Sequence, residues 1–130
     1  MLDKKNFYIN GKWAKPKQKK DLHVIDPSTE ENCAIISLGS PEDINIAVSA
    51  AKKAFESWAF TSKEERIKLL ESLYSLYKKR WEEMAKAISL EMGAPIEFST
   101  QLQAGTGASH IKSYIKVLKD YKFEKILGDH

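Results

Sequence analysis

Cysteine is almost missing from this sequence: Cys33 stands alone, so neither an internal disulfide nor a cysteine-built zinc cluster is available. Glycine and proline are sparse, at six and four, which removes collagen-like and low-complexity readings. Long apolar runs are lacking too, since no stretch approaches the roughly 20 residues that span a bilayer. The N-terminus, with Asp3 and Asn6 early, has no secretory-signal pattern. A reducing, cytoplasmic setting is therefore expected, without a membrane role. Charge of one sign is also lacking: 21 basic residues against 18 acidic leave a net +3, too little to argue for a nucleic-acid partner. The one concentrated run, Lys15, Lys17, Lys19 and Lys20, could contact phosphate or act as a short localisation signal. No aromatic residue interleaves with it, so it reads as a solvated loop.

What is present is the composition of an ordinary folded protein, 42% hydrophobic and 30% charged, at a length that suits one domain with one core. Residues 1–39 read as short strands. Phe7-Tyr8-Ile9 and Lys12-Trp13-Ala14 flank Asn10-Gly11, the dipeptide suited to a type I′ turn because both central residues need positive φ. Leu22 to Asp26 and Cys33 to Leu38 form a second hairpin across the turn Pro27-Ser28-Thr29-Glu30.

Helices are expected from Ser40 to about Tyr121. Ser40 is an N-cap with Pro41, Glu42 and Asp43 in the first turn, where the helix dipole favours negative charge. Ile44, Ala47, Val48, Ala51, Ala54, Phe55 and Trp58 then build one apolar stripe that must pack on something. Ser62 with Glu65 makes a capping box for a second helix. Its stripe runs through Ile67, Leu70, Leu73, Tyr74, Tyr77, Trp81, Met84, Ala85, Ile88 and Met92, with a bend or break expected near Arg80. Gly93-Ala94-Pro95 ends it. A last helix, from about Ile96 to Tyr121, turns Phe98, Leu102, Gly105, Ile111, Tyr114, Ile115 and Leu118 inward. Its two glycines, Gly105 and Gly107, each cost about 1 kcal/mol in a helix, so the segment is either close-packed there or locally irregular, and close packing is the expectation. Lys122 to Leu127 reads as the start of a strand.

Chemistry is scarce. Cys33 lies in an apolar strand with no basic neighbour to activate it and reads as a small packed residue. His23, His110 and His130 lack metal-ligand spacing. Gly105-Thr106-Gly107 is not placed between a strand and a helix start, as a phosphate loop would be. Glu64-Glu65 and Glu82-Glu83 suit solvated helix faces paired with Lys68, Lys79 or Lys86. Trp58, Trp81, Tyr74 and Tyr77 at helical spacing suit packing rather than base stacking. No catalytic, cofactor-binding or metal-ligating residue is assigned to this chain.

The order of signals nevertheless resembles the opening of the aldehyde dehydrogenase superfamily. The resemblance is carried by Phe7 to Trp13, Val24 to Glu30, Ser40 to Ile44, Ala47 to Trp58, Ser62 to Arg66 with Leu69-Leu70, and Leu90 to Pro95, and it covers nearly the whole chain. It implies an α/β parent fold of Rossmann type, to which this chain contributes a mostly α-helical portion with two N-terminal β-hairpins and a C-terminal strand start. In those terms residues 1–39 are the hairpins, 40–121 the helical part of the dinucleotide-binding domain, and 122–130 the start of an oligomerisation strand. The complete enzyme would oxidise an aldehyde to a carboxylic acid with NAD or NADP, through a cysteine nucleophile, a glutamate base and an asparagine that stabilises the oxyanion. None of these has a matching position here, and Cys33 does not align with the nucleophile. The resemblance also implies the rest of that fold as partner and a homo-oligomer, dimer or tetramer, when complete. No cofactor is expected for the chain alone. Some relatives hold a monovalent cation near positions matching Val24 and Glu91, where Glu91 replaces a shorter acid, and Tyr114 and His110 could help line a substrate tunnel. The chain is thus expected to be an inactive N-terminal fragment; the alternatives are a free-standing helical interaction module and a pseudoenzyme fragment.

Overall fold

The computed structural model describes residues 1–128. Strands come first: β1 (Leu2–Lys4), β2 (Phe7–Ile9), β3 (Lys12–Ala14), β4 (Asp21–Ile25) and β5 (Asn32–Ser37). Helices follow: α1 (Pro41–Trp58), α2 (Lys63–Lys79), α3 (Trp81–Met92), the single turn α4 (Ile96–Phe98), a π-helical turn at Ser99–Gln103, and α5 (Ala104–Asp120). The chain divides into two compact units, one made of 1–60 and 90–94, the other of 61–89 and 95 onward.

In the first unit both expected hairpins are present. Asn10 and Gly11 take φ of 53° and 74°, and Tyr8 pairs with Trp13 across the ladder with their rings edge to face at 5.2 Å. Strand β4 pairs antiparallel with β5. Strand β1, which the sequence did not signal, adds in parallel to the other edge of β5. Its three exposed residues carry no alternation of apolar and polar side chains, so the periodicity that betrays a strand is missing. Helix α1 begins at Ser40 with a reciprocal capping box closed by Asp43. Gly93, at φ 68°, lies against the β4–β5 turn: a methyl group there would meet Pro27 Cγ at 2.9 Å.

The second unit is an antiparallel helix pair. Ile67, Leu70, Tyr74, Tyr77 and Trp81 on one strand of the seam, and Ala104, Ala108, Ile111, Ile115 and Leu118 on the other, turn inward. Steps of three and four residues on both sides keep one stripe facing its partner. The break at Arg80 is real, with φ −105° and ψ 21° ending α2. Leu73, Met84 and Met92, expected inside, are exposed, as are Phe98, Leu102 and Tyr114. One helix facing one helix covers a single stripe of each, and these residues lie off it.

A π-helical turn precedes α5. The Ala104 amide reaches back five residues to the Ser99 carbonyl, which frees the Thr100 carbonyl from its usual donor. The Trp81 indole Nε1–H donates to it at 2.9 Å, and the Tyr77 hydroxyl donates to the Ala104 carbonyl at 2.9 Å. Gly107 exists for this contact: a Cβ there would stand 2.6 Å from Tyr77 Oη. Close packing at the glycine pair, not an irregular helix at the glycines themselves, is what forms.

Lys122 to Leu127, expected to begin a strand, is irregular. Phe123 is held by stacking on Tyr121 at 5.0 Å and under the Arg66 guanidinium at 5.7 Å. Beyond it Ile126 and Leu127 are fully exposed. A strand is defined by its neighbour, and no ladder partner stands beside these residues among those described.

Gly107→Ala is expected to destabilise the chain by about 1–3 kcal/mol through overpacking, and Tyr77→Phe by about 0.5–1.5 kcal/mol through the lost hydrogen bond. The double variant should cost clearly less than the sum, because removing the hydroxyl makes room for the methyl. Urea melts of the four proteins followed by circular dichroism check this; simple additivity would refute the contact.

Candidate functional site

Helix N-termini are the natural anion sites of a nucleotide-binding protein, because unpaired N–H groups and the helix dipole converge there. Here the two that carry capping boxes are closed by the chain's own carboxylates. At α1, Asp43 Oδ2 accepts from the Ser40 amide at 2.9 Å and from the Ser40 hydroxyl at 2.7 Å. Its Oδ1 accepts from the Lys17 amide at 3.0 Å. Hydrogen bonds from the Ser40 side chain and backbone, and then from Lys17, hold the Asp43 carboxyl below its ordinary value. At α2, Glu65 accepts from the Ser62 amide at 2.7 Å, and that bond leads the causes that lower its pKa.

The glycine pair offers no cradle either. Gly105 and Gly107 lie within α5, and the space beside Gly107 is filled by Tyr77. Neither the two capped helix starts nor the glycine pair offers a ready cradle for a dinucleotide's pyrophosphate. Nor do the remaining sequence candidates assemble into a reactive site. The Cys33 thiol, half-buried, donates to the Val24 carbonyl at 3.4 Å, which also engages that carbonyl as a prospective cation ligand. Glu91 is exposed, and so are His23, His110 and Tyr114. His130 lies outside the described residues. Among those described, no group of three histidine, cysteine or acidic side chains is placed to hold a metal, and no helix is long and apolar enough to cross a membrane.

What the chain does present is apolar surface. The α1 stripe, which must pack on something, is open: Val48 is 47% and Phe55 64% exposed. On the second unit, Leu73, Leu76, Tyr77, Arg80, Met84 and Ala87 line an open cleft of about 500 Å³. Among the described residues the buried apolar side chains are three alanines, Ala85, Ala104 and Ala108. The total accessible surface is 10790 Å², whereas two separate folded bodies of half this mass would expose about 8,400 Å² together.

Two features escaped the sequence. Asp43 is a first-turn acid by position, and its spacing of three from Ser40 is also a capping-box signal. Asp21 and Ser37 belong to no motif, yet they face one another across the β4–β5 ladder.

Asp43 supplies a pH dependence. Its carboxyl has a lower pKa folded than unfolded, so its contribution is complete above about pH 4 and is lost as pH falls through the folded value. Asp43→Asn places an NH2 group opposite donors, and its melting temperature should fall at neutral pH while the drop on acidification becomes shallower. Thermal melts between about pH 3 and 7 check this; an unchanged acid limb would refute it.

Comparison with known proteins places this arrangement. Residues 13–129 match the aldehyde dehydrogenase family. The chain is 43% identical over 129 residues to the 3-succinoylsemialdehyde-pyridine dehydrogenase of a Pseudomonas species, covering 98% of this chain and 27% of that protein. Among solved structures, an aldehyde dehydrogenase from Bartonella henselae superposes with a TM-score of 0.95 at 51% identity, over 99% of this chain and 27% of its own. Aldehyde dehydrogenase C of Pseudomonas syringae, solved as a mutant with NAD+ and octanal, superposes at 0.91 with 38% identity, over 95% of this chain and 26% of its own. The chain thus spans about a quarter of the length of these relatives, and it belongs to the aldehyde dehydrogenase family.

Proposed function

We propose that this chain serves as the N-terminal covering layer of an NAD- or NADP-dependent aldehyde dehydrogenase and has no turnover of its own. The uncovered apolar face of α1, together with the open cleft on α2 and α3, carries this reading: stripes of that breadth are made to be buried. In the complete enzyme an aldehyde is oxidised to a carboxylic acid by residues that this chain does not supply, and NAD, which the Pseudomonas syringae relative binds, is the favoured cofactor. No catalytic, cofactor-binding or metal-ligating role is assigned to any residue here.

In this proposal residues 1–39 provide the hairpins and 40–121 the helical part of the dinucleotide-binding domain. Residues 122–130 open the strand of an oligomerisation element, which agrees with Ile126 and Leu127 standing exposed. The partner is the remainder of the fold, the assembled enzyme a cytoplasmic dimer or tetramer.

The purified chain, given an aldehyde with NAD or NADP, is expected to form no reduced nucleotide, and to bind the dye ANS through its exposed faces. Turnover would overturn the proposal. So would a monodisperse, cooperatively melting protein that ignores ANS, which would instead be a free-standing module. Val48→Lys and Phe55→Lys should each change the stability of the isolated chain by less than about 0.5 kcal/mol, as for surface positions, while raising its solubility; a large loss in urea melts would mean that the α1 face is covered from within.

A further inference from the structure

The sequence holds four asparagines, Asn6, Asn10, Asn32 and Asn45, and all of them are exposed. Asn10 alone is followed by glycine, whereas the others precede Phe7, Cys33 and Ile46. A side chain on the following residue crowds that residue's backbone nitrogen, and Gly11 has none. The space around Gly11 is open as well, with nothing within 4 Å of where a Cβ would stand.

The fold holds this dipeptide loosely. Strands β2 and β3, three residues each, form a sheet of their own that is not hydrogen-bonded to β1, β5 and β4. A two-stranded hairpin is only marginally stable in water. Ile9 and Lys12 pair at the end of the ladder, so the Gly11 N–H between them stands outside it. Asn10 sits in the left-handed region at φ 53°, and joining its side chain to the next backbone nitrogen in a five-membered ring requires its backbone to rotate. Local opening of the hairpin supplies that rotation without unfolding the rest of the unit.

We propose that Asn10 is a site of spontaneous covalent modification, at which the chain converts it to aspartate and isoaspartate through a cyclic imide. The Gly11 nitrogen attacks Asn10 Cγ; the new N–Cγ bond forms, the Cγ–Nδ2 bond breaks, and ammonia leaves with the Gly11 amide proton. Nucleophile and electrophile lie in adjacent residues, which gives the ring closure its advantage. Water then opens the imide at either carbonyl. Opening at Cγ–N gives aspartate on an unchanged backbone, whereas opening at the main-chain carbonyl gives isoaspartate, with the backbone running through Cβ and Cγ. Isoaspartate therefore adds one atom to the backbone of a two-residue loop. Type I′ geometry depends on loop length and on positive φ at both positions, so the turn is lost. Tyr8 and Trp13, edge to face at 5.2 Å, then lose their register. The hairpin also leaves its seat on α1, where Asn10 and Gly11 share a cleft with Ala47 and Ala51.

The test ages the 130-residue chain in mildly alkaline buffer and follows each asparagine by peptide mapping with mass spectrometry. Asn10 is expected to lose its amide about tenfold or more faster than Asn6, Asn32 or Asn45. Trp13→Ala, at a 70% exposed position, removes the ring pair that keeps the hairpin closed. It should speed the loss at Asn10 about two- to fivefold and leave the other three rates unchanged. Tyr8–Trp13 cross-peaks in nuclear magnetic resonance spectra should persist in Asn10→Asp and vanish in the aged isoaspartyl chain. Similar rates at all four asparagines would overturn the proposal, as would a Trp13→Ala rate equal to the parent's. Acceleration at all four would mean that global unfolding, not the hairpin, governs the reaction. An isoaspartyl chain that keeps the Tyr8–Trp13 contact would overturn the structural consequence.

Discussion

Everything in this chain answers to one shortage: it has more apolar surface than it can fold onto itself. Ordering each residue costs about 1–2 kcal/mol of backbone entropy, and burial of large side chains is what normally offsets it at about 25 cal/mol per Å². Here the buried apolar side chains are alanines, while Phe55, Phe60, Leu76 and Val117 face outward. Alanine buries little area and loses no rotamer entropy, so it allows close approach without contributing much to a core. The local structure is therefore specified chiefly by polar devices, and the large apolar side chains are kept for an external surface.

Those polar devices are what the sequence makes legible. Ser40 with Asp43, Ser62 with Glu65, Asn10-Gly11 and Gly93 each need a particular residue at a particular offset, because hydrogen-bond reach and positive φ are short-range demands. The break at Arg80 could be placed from helix length alone. Less legible was anything decided by what lies across from a residue. Strand β1 pairs through its backbone with β5 and has no side-chain pattern to give it away. The π-turn at Ser99–Gln103 is matched by Trp81, some twenty residues earlier, whose indole reaches the Thr100 carbonyl that a regular helix would have used. Periodicity marked the seam of α2 and α5 at Ile67, Leu70, Tyr74, Tyr77, Ile111, Ile115 and Leu118, whereas the α1 stripe and Leu73, Met84 and Tyr114 are exposed; a stripe tells only which face seeks cover. Whether Leu73 or Ile67 finds it depends on how many partners the chain contains.

The same distinction governs the functional reading. Residue chemistry alone named no activity, because the candidate nucleophile, histidines and acids do not assemble into a reactive cluster among the described residues. Order and spacing of the structural signals named the family, since they report the geometry that this region must adopt to lie against its neighbours. The two capped helix starts fit that role. A helix beginning engaged by its own aspartate or glutamate is less open to a phosphate, as the proposed role of a layer beside a nucleotide-binding body would require.

The proposed covering layer would have to hold its shape before docking, or ordering it would be charged against the docking energy. The seam between α2 and α5 meets that need in an unusual way. Tyr77 and Trp81 bridge to the carbonyls of Ala104 and Thr100, Gly107 lets Tyr77 approach, and Lys63 reaches the Lys119 carbonyl at 3.0 Å near the other end. These bonds are directional where apolar contact is not, so they fix the register of the two helices with little buried area. A pair set in register by its polar contacts leaves Leu69, Leu73 and Leu76 in a fixed row on the outer face of α2. That row is then a preformed surface rather than one assembled on contact, and the apolar burial still to come can go into binding instead of folding.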